Sequence, residues 1–240
     1  MHAYTIIKVN KFPVEVPKEG FKTSRQIPLP GMNGDETAHT TFKKLGISEN
    51  EIFEKYKIEH EDIESVEGRL WGKKISSYIR IYTIFAHYKR DENILIISGK
   101  KKIWWRAYER LHTAYPDLFE AEKPEIDLSI LRKALESKVI GGYFNELEIA
   151  NVNAASIFGS SVEESEEWER YEDAGELSAL LISVNYKGSP RSIMLTRERV
   201  VVLYSIPNEL DDLEFLLMID KIITKAAALI EKKTKESTTK

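Results

Sequence analysis

Between Gly99 and Tyr115 the chain reads GKKKIWWRAYERLHTAY, its densest mixture of positive charge and aromatic surface. Lysine and arginine hold phosphates by charge, and exposed indole rings stack on bases. On a helical wheel of about 100° per residue, Tyr108, Leu111 and Tyr115 fall within about 40° of Trp104. Trp104 is therefore expected in a core, with Trp105 and His112 on one flank and Arg106, Glu109 and Arg110 facing away. Lys100, Lys101 and Lys102 precede this helix, where the positive end of the macrodipole disfavours cations. They are either solvated at a strand end or placed for an anion, and phosphate is attracted jointly by lysines and the free N–H groups of a helix start. The candidate nucleic-acid contacts are thus Lys100, Lys101, Lys102, Trp105, Arg106 and Arg110.

A second pattern has catalytic content. Pro116-Asp117 followed by Glu136-Ser137-Lys138 matches the string of the PD-(D/E)xK nucleases. Asp117 and Glu136 would hold Mg²⁺ there, and Lys138 would orient the attacking water. In that chemistry the acid-x-lysine triplet belongs on a strand, whereas Glu136 falls at the end of a predicted helix. A helix-terminal Glu and an exposed Lys is the simpler reading. The histidines His2, His39, His60, His87 and His112 show no pair at metal-ligand spacing. Ser160 and Ser161, in FGSSV, lack a nucleophile elbow, and Gly141-Gly142 is not a phosphate-loop fingerprint. No catalytic residue, metal or cofactor is expected.

The 240 residues carry a net charge of −4, so any nucleic-acid role must use a local patch or a surface shared with a partner. A hydrophobic fraction of 42% with mixed charge argues for a globular fold. Cysteine is absent, which removes disulfides, thiol catalysis and thiolate metal sites. One glutamine and 31% charged residues hint at a thermophilic source. No stretch approaches the ~20 apolar residues of a membrane span, and a soluble cytoplasmic protein is expected.

The elements around the basic helix suggest α+β architecture in two small lobes of antiparallel β-hairpins flanked by helices. Residues 1–118 form the first lobe, with a strand at Ala3 to Val9 and a Pro/Gly-rich arm over 13–41 expected to lack regular structure. Ser48 and Glu51 occupy capping-box positions, predicting a short helix to Lys57. Alternation in Leu70 to Tyr88, the turn KRDEN and Ile94 to Ser98 predict a hairpin. Residues 119–233 form the second lobe, and 234–240 a polar tail. Asp127, Ser165 and Asn208 read as N-caps of three helices. Val139 to Phe144 reads as a strand, and Leu177 to Tyr186, KGSP and Arg191 to Ser205 as a hairpin. The acidic run Glu163 to Asp173 is either a solvated helix face, with Trp168 and Tyr171 turned inward, or an edge for a basic partner.

The order VIGGYF, SSVEESEEWERYEDAG, ELSALLISVNYKGSPRSIMLTRERVVVLYS and a terminal helix resembles the stand-alone proteins that pair with short argonautes and supply their missing N, L1 and L2 regions. The resemblance is one of length and layout, and it carries over no individual residue. It implies a non-catalytic accessory subunit of prokaryotic defence that docks on a larger argonaute-like MID–PIWI protein. Such a subunit helps retain guide and target strands of DNA or RNA. A protein-interaction module without nucleic-acid contact is the alternative, and the nuclease reading comes third.

Overall fold

The computed structural model describes residues 1–28, 35–134, 137–204 and 208–238. It is a mixed α and β protein built mainly from antiparallel strands. Its contacts divide the chain into two compact units, one of Ile7–Glu122 and one of Met1–Ile6 with Lys123–Lys240. Strand β1 (His2–Lys11) serves both: His2 to Thr5 pair with Leu203 to Val200 in one, and Val9 and Lys11 with Ala121 and Glu120 in the other.

In the Ile7–Glu122 unit, β2 (Phe21–Pro28), β3 (Asp35–Ile47), β4 (Glu54–Leu70), β5 (Lys73–Lys89) and β6 (Ile94–Ser98) pair consecutively, followed by α1 (Lys101–Ala114) and β7 (Glu120–Ala121). Register sorts one face into rows. Phe21, Phe42, Ile58 and Ile84 form an apolar row, and Thr23, Thr40, His60 and Tyr82 a polar one. Two residues further along the strands, Arg25 and the Asp62–Arg80 pair share the same face by strand alternation. Helix α1 buries Ile103, Trp104, Ala107 and Leu111 in the core that contains the apolar row. Phe12, Phe42, Tyr56 and Phe119 fill that core with edge-on and stacked rings 5.0–6.0 Å apart.

Two expectations for this region are corrected. The arm over 13–41 is not without regular structure: β2 and the start of β3 form a hairpin within it, although residues 29–34, which include most of the expected GMNGDE turn, lie outside the described residues. Its inward positions are Phe21, Thr23, Arg25, Ile27, Ala38 and Thr40, and such a mixture hides the period of two. The helix expected from Ser48 is a turn instead. Ser48 Oγ accepts from the Phe53 N–H (2.9 Å) and donates to Asn50 (2.7 Å), and Glu51 has a φ of 57°. Tyr56, Ile58 and His60, all fully buried, set strand alternation from there, and the acidic segment HEDIES is part of β4.

The β4–β5 ladder ends in a two-residue turn, Trp71-Gly72, with φ values of 53° and 80°. Positive φ at both positions is the type I′ pattern, which favours Asn-Gly. Tryptophan in that conformation crowds its own backbone, and here the ring gains no burial in return, being 89% exposed.

The second unit holds α2 (Leu128–Ala134), β8 (Lys138–Ile149), β9 (Val152–Phe158), α3 (Glu166–Ala174), β10 (Glu176–Tyr186), β11 (Ser189–Thr196), β12 (Val200–Leu203) and α4 (Glu209–Thr238). The strands follow the order β9-β8-β10-β11-β12, with the start of β1 beyond β12. Asp127, Ser165 and Asn208 accept from N–H groups of Ile130, Trp168 and Asp211, as capping predicts. The strand expected over 191–205 is instead two, because the chain turns at Arg199, which has a φ of 54°. Arg199 also pairs with the buried Asp220 of α4 (3.2 Å). Tyr4 donates to the buried Asp212 of the same helix (3.4 Å), and burial followed by that carboxylate pushes the Tyr4 hydroxyl up to about 12.

Gly142 is the site of a close approach: a Cβ there would lie 2.7 Å from the Trp168 ring. Trp168 is fully buried, edge-on to Phe144 at 5.0 Å. Gly142→Ala should therefore destabilise the protein by about 1–3 kcal/mol, read as a lower midpoint of chemical unfolding. Trp71→Asn should do the opposite and raise stability by about 1 kcal/mol, because asparagine tolerates the left-handed region.

Candidate functional site

The rows of the first sheet determine what lies beside α1. Arg106, Glu109, Arg110 and Thr113 recur at helical spacing on one side of the helix. With Thr23, Ser24 and Arg25 of β2 and Asp62 of β4 they line an open groove of about 530 Å³. Arg106 is ion-paired with Asp62, whose side chain is largely covered. Arg110 donates to the Glu61 carbonyl at 2.8 Å. Arg25 is exposed, and its side chain makes no hydrogen bond or ion pair among the described residues.

Electrostatics mark the groove as locally positive. Burial lowers the pKa of Arg110; the nearby Asp62 and Glu61 carboxylates oppose this, and the charges of Arg25 and Arg106 add to it. Beneath lies His60, fully buried, its Nδ1 within 2.8 Å of Thr40 Oγ1 and its Nε2 without a partner among the described residues. Burial, then the Arg110 and Arg106 charges, bring its pKa down to about 4 despite Asp62. Three guanidinium groups beside two carboxylates, Asp62 engaged by Arg106 and Glu109 exposed at the edge, with threonine and serine at the rim, can bind an oxyanion through planar, charge-assisted hydrogen bonds.

The residues singled out in sequence are divided by the helix that carries them. Arg106 and Arg110 enter the groove. Lys100 caps α1 with its backbone, its carbonyl accepting from Ile103 and Trp104 (3.0 and 3.1 Å), while its side chain is exposed. Lys102 is exposed and Lys101 partly covered. Trp105 lies on the other flank, half-buried and edge-on to Tyr108 at 5.3 Å, with His112 stacked on Tyr108 beyond it (5.7 Å). Arg25 and Asp62 were not among the sequence candidates. The signal for Arg25 was the alternation Phe21-Thr23-Arg25-Ile27, which places a cation on the inward face of a strand.

Of the nuclease-like string, Asp117 lies in the turn after α1, Lys138 opens β8, and Glu136 is outside the described residues. Among the described residues no group of three or more His, Asp or Glu gathers as metal ligands. No helix among them is long and apolar enough to cross a membrane. No protein-family model matches the sequence, and no curated protein matches it at a significant level.

His60 gives the groove a pH signature. Its folded pKa of about 4 lies below the ordinary value of 6.5, so the unfolded chain binds the extra proton first as pH falls. Stability is unaffected above the ordinary value, falls by up to about 1.4 kcal/mol per pH unit below it, and levels off once the folded pKa is passed. Thermal melts across this window should show a flatter acid limb for His60→Gln than for the unaltered protein.

Proposed function

We propose that this protein is a non-catalytic subunit that holds nucleic-acid strands for a larger nucleic-acid-guided or nucleic-acid-processing partner. The observation that carries the reading is the convergence of Arg25, Arg106 and Arg110 on one groove. A phosphodiester is the anion that such a groove suits: singly charged, repeated along a strand, and open to guanidinium groups from several sides. The acidic chain as a whole is compatible with this role, because a partner supplies the remaining positive surface. An argonaute-like MID–PIWI protein is the partner that the layout of the second half implies, with the two α+β lobes serving as docking and strand-holding surfaces in the cytoplasm. The lysines at the start of α1 are a second, outer contact for the same strand.

The test is salt-dependent binding of a short oligonucleotide, DNA and RNA in parallel, measured by anisotropy. Arg25 is exposed and without a partner, so Arg25→Glu spares the fold. The substitution should weaken binding about tenfold, the equivalent of one charge-assisted contact. The salt slope should fall by about 1. Lys100→Glu with Lys101→Glu should have a smaller effect in the same direction. Unchanged affinity and slope in Arg25→Glu would remove the groove from consideration as the phosphate site.

A further inference from the structure

The far end of the β4–β5 ladder combines three features that local stability does not explain. Trp71 is 89% exposed at a turn whose positive φ disfavours it. Next to the turn, Arg69 pairs directly with Lys74 across the ladder, so two cations oppose each other where like charges repel. Both are exposed, and neither has a partner among the described residues. Third, the segment from Ser65 to Lys74 contains one acidic residue, Glu67, against Arg69, Lys73 and Lys74, while Arg80 further along β5 is ion-paired with Glu64 (3.2 Å).

Register ties these features to the groove. The ladder is shifted by a bulge in β4 between Ser65 and Gly68, while β5 continues without interruption. Strand alternation along β5 therefore puts Lys74, and with it Arg69, on the face that carries Arg80 and Asp62. From Asp62 to Arg69 that face runs for roughly 20 Å at strand rise, a distance that several nucleotides span.

We infer that the β4–β5 hairpin tip is a contact for single-stranded nucleic acid, with Trp71 stacking on a base and Arg69 and Lys74 holding the phosphates beside it. The inference rests on the reading of the arginine groove as a phosphodiester site, which the tip extends. An indole ring at a strained turn, flanked by unpaired cations, offers a flat apolar surface and charge together, as stacking on a charged strand requires. A protein partner is the weaker fit, because the described exposed residues beside Trp71 (Gly68, Arg69, Gly72 and Lys74) add no further large apolar side chain to make an interface anchor.

Trp71→Asn suits the test because it is expected to fold at least as well as the unaltered chain. Two probes distinguish tip from groove: oligothymidylates of about 4 and about 16 nucleotides, the range of single-strand site sizes. Trp71→Asn should weaken the longer probe about tenfold and leave the shorter one unchanged, while Trp71→Phe restores most of the loss. Iodide quenching of the exposed indole should fall when the longer probe binds. Arg25→Glu should weaken both probes. If Arg25→Glu is silent while Trp71→Asn still weakens the longer probe, the groove reading fails and the tip stands. If Trp71→Asn binds the longer probe as the unaltered protein does, the tip inference is overturned whatever the groove variants show. Trp71-dependent binding to phosphatidylcholine–phosphatidylserine vesicles, with no oligonucleotide binding, would also overturn it and assign the tip to a membrane surface.

Discussion

Helix α1 is seated through Trp104 and Leu111 in the aromatic core that contains the Phe42 and Ile58 row, and the groove depends on that seating. Burial of two such side chains is worth several kcal/mol, far more than any single surface charge contributes. The hydrophobic stripe therefore fixes the helix first. Its azimuth then determines where the charged positions fall: Arg106 and Arg110 toward Asp62 and β2, Trp105 and His112 toward the opposite flank. A rotation about the helix axis that separated the arginines from Asp62 would also expose Trp104. Core packing and site geometry are thus one constraint.

The electrostatics of the groove follow from the gradient along the strands. The sheet face passes from apolar through neutral polar to charged within a few residues, so His60 is enclosed while Asp62 is still partly covered. A neutral histidine at this position lets the arginines approach without adding a further like charge. Protonating it would place a cation in a desolvated position beside Arg110 and Arg106, and that cost depresses its pKa. The ion pair of Arg106 with Asp62 is half-exposed, so it orients the guanidinium more than it stabilises the fold. The Arg25 guanidinium, by contrast, has no hydrogen-bond or ion-pair partner among the described residues.

Legibility in the sequence followed the strength of the local period. The Trp104 stripe, the caps at Asp127, Ser165 and Asn208, and the pairing of β5 with β6 were visible because each rests on spacing within a few residues. The strands β2 and β3 were not, since threonine, alanine and arginine at inward positions weaken the alternation. Ser48 and Glu51 satisfied the helix-start pattern, yet burial of Tyr56, Ile58 and His60 on a single face overrode it. The candidate site was half legible. Arg106 and Arg110 share a face at helical spacing, but Arg25 is 81 residues from Arg106 in sequence (106 − 25), and only strand pairing brings it there. Trp71 escaped because Trp-Gly is not a recognised turn signal.

Over much of this chain local preference and tertiary structure agree: Asp127, Ser165 and Asn208 cap three helices, the deepest apolar row faces α1, and glycine sits where Trp168 approaches, although Glu51, Glu146, Lys187 and Arg199 also adopt positive φ. The hairpin tip breaks three local rules within six residues, from Arg69 to Lys74, by turn chemistry, by like-charge pairing and by exposure of a large aromatic ring. Independent violations at scattered positions would signify little, because each costs about 1 kcal/mol or less and a domain tolerates several. Concentration at the end of one ladder is different, since any of the three is relieved by a single substitution without disturbing a core. The inferred strand contact at this tip would match both of its properties, charge and a flat apolar surface.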